Sequence, residues 1–529
     1  MRRAVFLIAT SGVAVLAASS AHAATTTGPA LAVDARYDKH AISPEIYGMN
    51  FADETLAKEL AIGTDRWGGN STSRYNWQTH SQNLANDYFF ENIGLAGTAD
   101  DLPALITHDR RAKINTIVNI PTLGWVSKDA PVGHTSDCSF PTAKYGHQTD
   151  KDPYSDCGNG VLPDGSKIQA DPNDTSIPTT PSFLGQWITS LVATYGDAAH
   201  GGVKHYTLDN EPGLWGDTHA DVHPAKETYD ELIAKDVPVA QAIKSADPTS
   251  TTLGPSGWGF LELLNSETGD ESATHGGLTH GEYFLSQMQQ ASTSGGVRLL
   301  DYFDEHYYPQ GDGVALSPAG SAKTQALRLR QTRALWDPTY TDESWQNDLG
   351  AGPVRMIPRM KEYVNAQFPG TKISLTEYNF GGLESINGAL AQADVLGIFA
   401  REGVDLAAIW GAPTSKQPGA YAFRMYRNYD GKGSKFGDTW VRATSKDQGT
   451  LAVYAATRSD KHLTVMVINK TATPLASTLS VAGNSATKAW HYQYSGAKTS
   501  AILSLPKVSV KAGKLTATYP ANSITLWVL

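Results

Sequence analysis

The chain has 529 residues, 40% hydrophobic and 18% charged, with 49 Gly and 27 Pro. That composition excludes a disordered, collagenous or coiled-coil protein, and the length accommodates two to four domains or one large barrel with an appendage. Lys and Arg number 43 against 53 Asp and Glu, a formal charge of −10 with no basic block, which argues against nucleic acid or an anionic membrane as partner.

Met1-Arg2-Arg3 starts the chain with positive charge, residues 4–18 are almost all small or apolar, and Ala21-His22-Ala23 offers a small-x-small cleavage pattern. We read residues 1–23 as a signal peptide and expect a secreted protein, extracellular or periplasmic; a retained anchor is the alternative. No later stretch of 18 apolar residues could span a membrane. The segment 24–45 holds a strand-like run at 30–35 with no helix after it, expected to join a C-terminal sandwich.

Eight short apolar runs follow, at 46–50, 62–67, 114–120, 203–209, 251–255, 299–306, 372–378 and 404–410. Between several of them, apolar residues recur at three- and four-residue steps, as at 182–195, 229–246, 354–368 and 389–403. Eight strands alternating with helices predict a TIM-like (β/α)8 barrel, taken here as 46–425; no Gly-rich dinucleotide turn follows the first strand. Cys138 and Cys157, the two cysteines of the chain, lie in a Gly/Pro/Asp-rich stretch and read as one disulfide pinning a long loop.

From 426 to 529 the helical signal disappears. Runs at 451–458, 462–470, 475–481, 488–494 and 524–529 alternate apolar and polar between turn residues, the pattern of a β-sandwich. Leu463, Val465 and Val467 are expected to face its core, with Thr464 and Met466 facing away.

Two carboxylates stand at strand ends. Tyr206-Thr207-Leu208-Asp209-Asn210-Glu211-Pro212 delivers Glu211 after the fourth strand, and Ser374-Leu375-Thr376-Glu377-Tyr378-Asn379 delivers Glu377 at the end of the seventh. Active sites of such barrels lie at the C-terminal ends of the strands. Two carboxyl groups about 5 Å apart suit a retaining glycosidase, and a wider gap suits an inverting one. The bland reading of either Glu is a salt-bridge partner. The 12 Trp and 23 Tyr supply flat apolar faces of the kind sugar binders use, as cores and interfaces also do.

Seven ordered blocks make the chain resemble glycoside hydrolase family 44 over nearly its whole length after the leader. They are Arg66-Trp67-Gly68-Gly69-Asn70 with Tyr75-Asn76-Trp77, Leu208 to Pro212 with Leu214-Trp215, Asp304-Glu305-His306-Tyr307-Tyr308-Pro309, and Leu335-Trp336-Asp337-Pro338. Thr376-Glu377-Tyr378, Ala393-Asp394-Val395-Leu396-Gly397 and Tyr426-Arg427-Asn428-Tyr429-Asp430-Gly431 follow. The resemblance implies a TIM-like barrel with a β-sandwich, retaining chemistry and endo-cleavage of β-1,4-glucans such as xyloglucan or soluble cellulose derivatives. By motif it makes Glu211 the acid/base and Glu377 the nucleophile. No cellulose-binding module or dockerin is expected after the sandwich, which favours a soluble or branched glucan.

Around that pair, Asn210 is placed to hydrogen-bond the sugar, and Arg66 to hold the nucleophile ionised. His306 and Tyr307 are expected to contact Glu377 or the sugar jointly, although a regular strand would turn only one of them inward. Trp410 is expected as a floor under the cleaved sugar, and Trp67, Trp125 and Trp258 as further stacking faces; core packing is the alternative for each. His219 and His223 lack the intervening Glu of a zinc protease, so they read as surface or supporting histidines. The chemistry needs no cofactor; structural calcium at the Asp-rich 150–156 or 171–174 stays open, without EF-hand spacing. The partner is a β-glucan polysaccharide, and a monomer is expected. Rival readings are a hydrolase of glucomannan or xylan, and a non-catalytic carbohydrate-binding protein on the same fold.

Overall fold

The computed structural model describes residues 26–529, so the expected signal peptide lies outside the described residues. Strands Gly48–Asn50, Thr64–Trp67, Asn115–Ile120, His205–Leu208, Thr251–Gly257, Tyr302–Glu305, Lys372–Tyr378 and Leu406–Ile409 close in chain order into an eight-stranded barrel, all neighbours parallel. Each expected run holds its strand, the fifth running on to Gly257. Their nearly complete burial explains why they read as continuous apolar runs, since parallel strands are covered on both faces.

The expected helices are Pro181–Tyr195, Tyr229–Ala246, Met356–Gln367 and Ile386–Glu402. Three of them start on a side chain that accepts from the first turn: Thr180 from Phe183 N, Thr228 from Glu231 N and Ser385 from Gly388 N. Helix Ile386–Glu402 is buried on every side from Asn387 to Ala400, because the barrel lies under one face and the C-terminal sheet over the other.

That C-terminal part is a sandwich of a seven-stranded and a five-stranded sheet. The N-terminal segment enters both. Leu31–Asp34 runs parallel to Leu475–Ala482 and antiparallel to Arg442–Ser445 in the smaller sheet, and His40–Ala41 edges the larger. Leu463, Val465 and Val467 do face the inter-sheet core, with Val33, Leu479, Leu515 and Trp527. Their neighbours Thr464 and Met466 face away from that core yet are also buried, Met466 in the main cluster with the barrel helices. A Cβ at Gly397 would lie 2.4 Å from the Tyr454 ring, so this helix meets the sheet backbone to side chain. In the same seam Asp394 accepts from Lys470 Nζ (2.6 Å), Tyr454 Oη (2.7 Å) and Thr332 Oγ1 (2.7 Å). No helix among the described residues is long and apolar enough to cross a membrane.

Candidate active site

The fourth strand ends in a sharp turn. Asp209 and Glu211 both take left-handed backbone conformations, φ 59° and 46°, which cost a non-glycine residue about 1–3 kcal/mol each unless neighbours hold them. The Asp209 carboxylate accepts from Thr122 N (2.6 Å), Leu123 N (2.7 Å) and Asn210 N (2.9 Å). Glu211 N donates to Ser256 O at 2.9 Å, and Gly213 N to Glu262 Oε1 at 3.0 Å. The third and fifth strand ends thus fix the turn from both sides. On the seventh strand the register with the eighth shifts between Leu375 and Tyr378, an irregularity of the kind that re-aims side chains at active sites.

These turns bring the carboxyl groups of Glu211 and Glu377 and the His306 ring together, with one ligating atom of each within 4.8 Å of the others. His306 Nδ1 lies 2.8 Å from Glu211 Oε1 and 3.6 Å from Glu377 Oε2; with two acceptors facing it, Nδ1 carries the proton. Arg66 Nη1 donates to Glu377 Oε1 (2.5 Å) and to Asn50 Oδ1 (3.1 Å), and Nη2 donates to Asn210 Oδ1 (2.8 Å). Asn210 Nδ2 donates in turn to Asn70 Oδ1 at 2.9 Å. Tyr308 Oη donates to Glu377 Oε2 at 2.6 Å. A Cβ at position 68 would lie 2.4 Å from Arg66 Cζ, so Gly68 lets the chain pass flat against the guanidinium.

The two carboxyls are driven apart. Burial raises Glu211 above the ordinary carboxylate range, and the negative charge of Glu377 adds to that against the lowering influence of His306. Burial also pushes Glu377 up, but His306, Arg66 and the Tyr308 hydroxyl outweigh it and hold it below the ordinary range. Burial opposes a charged His306 ring, while Glu377 and Glu211 draw it upward. One group is therefore biased to be an acid and the other a carboxylate. Although Glu211, His306 and Glu377 could geometrically ligate a cation, Arg66 already occupies the Glu377 carboxylate with its own charge. Of the Asp-rich stretches, Asp152 converges with Glu91 and His134, while Asp174 pairs with Lys144 and Asp156 accepts from Thr142 and Ala143.

A cleft of about 630 Å³ opens over the pair, lined among others by Glu211, Glu377, Asn210, Tyr308, Asn70 and Trp410. The half-exposed Trp410 indole lies against Gly69, where an added Cβ would come within 2.7 Å of it. Two expectations need correction. Trp67 is fully buried, with Nε1 donating to Asp100 O at 2.8 Å and its ring edge-on to Tyr75, so it is a core residue with no face for a sugar. Tyr307 is also fully buried and its hydroxyl has no partner; Tyr308, which the sequence reading passed over, makes the contact with Glu377.

Trp125 packs with Leu123, Trp215 and Val222 beside the cleft, and Trp258 pairs with the exposed Trp345, ring centroids 6.2 Å apart. Neither lines the cleft. His219 is buried with both ring nitrogens unpartnered, and His223 bonds Glu231 at 2.8 Å, so the two do not converge on a common ligand. Asn50, Asn70 and Glu262 also escaped the sequence reading. Glu262 bridges Gly213 N and Trp258 N (2.6 Å), tying the Glu211 turn to the next loop.

An acid and a carboxylate facing each other across the mouth of a parallel barrel define a glycoside hydrolase. Comparison with known proteins agrees: residues 81–311 match the model of glycoside hydrolase family 44. The chain is 31% identical over 496 residues to endoglucanase A of Paenibacillus lautus, covering 88% of this chain and 67% of that protein. Among solved structures it is similar to CelM2, a bifunctional glucanase-xylanase from a metagenome library, with a TM-score of 0.90 at 39% identity over 95% of this chain and 99% of that one. It is similar as well to a Paenibacillus polymyxa xyloglucanase, with a TM-score of 0.81 at 29% identity over 96% and 100% of the two chains. The chain belongs to glycoside hydrolase family 44.

Proposed function

We propose that this chain is a secreted, retaining endo-β-1,4-glucanase acting on soluble or branched glucans, xyloglucan and carboxymethylcellulose among them, by double displacement. The observation that carries the reading is the separation of Glu211 and Glu377, oxygens of the two within 4.8 Å. A retaining pair sits about 5–5.5 Å apart, whereas an inverting pair needs about 6.5–9.5 Å to admit a water. The relatives named an endoglucanase, a glucanase-xylanase and a xyloglucanase support the substrate class.

In the first step Glu377 attacks the anomeric carbon while Glu211 gives its proton to the departing glycosidic oxygen. The C–O bond to the leaving chain breaks and an ester bond to Glu377 forms. The Glu377 charge is thereby consumed, and with it the repulsion that helped keep Glu211 protonated. Glu211, now a carboxylate, takes a proton from an entering water, whose oxygen attacks the same carbon and releases Glu377. Arg66 and Tyr308 receive the nucleophile's charge again as it leaves.

The test is hydrolysis of xyloglucan, carboxymethylcellulose, glucomannan and xylan by wild type, Glu211→Gln and Glu377→Gln, with the anomer first released followed by NMR. The expected result is β-product on a glucan, with each variant reduced by about 10²-fold or more. An α-product, or near-full activity in either variant, refutes the mechanism; preference for glucomannan or xylan transfers the same chemistry to another backbone.

A further inference from the structure

A second groove, of about 620 Å³, shares a wall with the catalytic cleft: Asp87 lines both. Asp87 is linked to the chemistry, since its carboxylate accepts from Asn70 Nδ2 (3.2 Å) and Asn70 in turn accepts from Asn210. Beyond Asp87 the groove runs between the turn Ala85–Tyr88 with Phe89, the disulfide-bonded loop with Asp150, the segment directly after it with Asn159 and Lys167, and Asp217 in the short helix Trp215–Thr218 that follows Glu211.

Both walls are fixed. The Cys138–Cys157 bridge closes the loop, Ser139 Oγ donates to the buried Asp221 (2.6 Å), which is paired with Arg74 (3.0 Å), and Lys167 reaches Asp217 at 2.6 Å. On the opposite wall Ala85, Phe89 and Phe90 all adopt left-handed backbone, φ 54°, 47° and 53°. Three strained non-glycine residues in six positions persist only where the surroundings hold them, and such strain gathers at ligand sites. Its effect here is to turn the half-buried Phe89 ring into the groove, edge-on to Tyr88, whose own face is taken by His134 at 4.6 Å.

We propose that this groove is a distal subsite that binds a neutral β-linked hexose unit of the same glycan chain whose bond lies between Glu211 and Glu377. Phe89 offers the apolar face, and Asn159 and Asp87 offer partners for hydroxyls. Asp87 and Asp150 repel a uronic acid, because Lys167, the cation of the lining, is already paired with Asp217. The assignment rests on the glycanase reading above. It adds that the turn carrying Phe89 and the segment anchored by the disulfide set how much the enzyme gains from long substrates, since binding energy far from the scissile bond appears in kcat/KM only when the substrate reaches it.

The experiment measures kcat/KM for a long and a short β-1,4-gluco-oligosaccharide in wild type, Phe89→Ala and Asn159→Ala, the second variant serving if the first misfolds. The long-to-short ratio is expected to fall about tenfold in Phe89→Ala and several-fold in Asn159→Ala. A ratio unchanged in the folded variants overturns the subsite while leaving the catalytic reading intact. A wild type inactive on every β-glucan overturns both.

Discussion

Tyr308 and Tyr307 are adjacent, and replacing each by Phe separates a hydroxyl that serves the nucleophile from one that does not. The Tyr308 hydroxyl donates to Glu377 Oε2 at 2.6 Å and helps hold that carboxyl below its ordinary range. A hydrogen bond to an ionised group contributes about 1.5–3 kcal/mol, and one pKa unit corresponds to about 1.4 kcal/mol. Tyr308→Phe should therefore raise the Glu377 carboxyl back toward the ordinary range. Glu377 attacks only when ionised, and its depressed pKa means activity is lost as pH falls through that value. The acid limb of kcat/KM must then move to higher pH by the same amount. Tyr307→Phe removes a buried hydroxyl with no partner and should leave that limb in place. The assay is the pH dependence of kcat/KM on a soluble glucan for the three proteins. An acid limb in Tyr308→Phe that coincides with wild type, or one that moves equally in Tyr307→Phe, would refute the assignment.

His306→Ala removes the group that most lowers Glu211 and Glu377 against their burial, so both limbs of the same profile should move to higher pH; unmoved limbs would show that the ring does not act on the pair. Gly69→Ala puts a Cβ 2.7 Å from the Trp410 ring at a residue with φ 100°, so the indole must tilt, KM should rise several-fold, and stability should fall by about 1–3 kcal/mol in denaturant titration. Asp394→Asn leaves the buried Lys470 ammonium without its counter-charge between barrel and sandwich; a loss of about 3–5 kcal/mol is expected, read by thermal unfolding, with kcat on the remaining folded enzyme unaffected.

The barrel was legible because its strands are buried on both faces and most of its helices on one, so apolar runs and three-to-four spacing alternate visibly along the chain. The residues that misled are those where neighbours in one strand point opposite ways. Arg66 enters the barrel mouth, so Trp67 must point out toward Tyr75, whatever its value as a sugar platform. His306 touches Glu211, and by the same alternation Tyr308, not Tyr307, returns to that side. The alternation rule was sufficient in both cases. Other parts carry little local signal. The edge strand His40–Ala41 and its neighbour Thr439–Trp440 are two residues long, and Lys498–Ser509 lies largely exposed as a hairpin arm whose apolar residues mark no core face. The groove beyond Asp87 joins segments some 50 residues apart through side-chain bonds and a disulfide, which no periodicity encodes.

The inventory of charge around the reacting atoms explains why these particular neighbours are present. At rest, Arg66 is balanced by Glu377, burial draws Glu211 toward its neutral form, and His306, whose pKa its two carboxylate neighbours raise against burial, donates from Nδ1. In the glycosyl-enzyme the ester has removed the charge of Glu377, and the negative charge has moved to Glu211. Moving one negative charge between the two carboxylates leaves the sum over the site unchanged, which matters in a buried pocket where an unbalanced ion costs several kcal/mol. What changes is the place of one negative charge, over less than 4.8 Å. His306 Nδ1 is the one donor within reach of both positions, 2.8 Å from Glu211 and 3.6 Å from Glu377. Its other nitrogen is buried without an acceptor, so both carboxylates are served through Nδ1 alone. A lysine in its place would put a flexible point charge there, whereas the ring, held between the two carboxylates, keeps one donor aimed at the negative charge as it passes from one to the other.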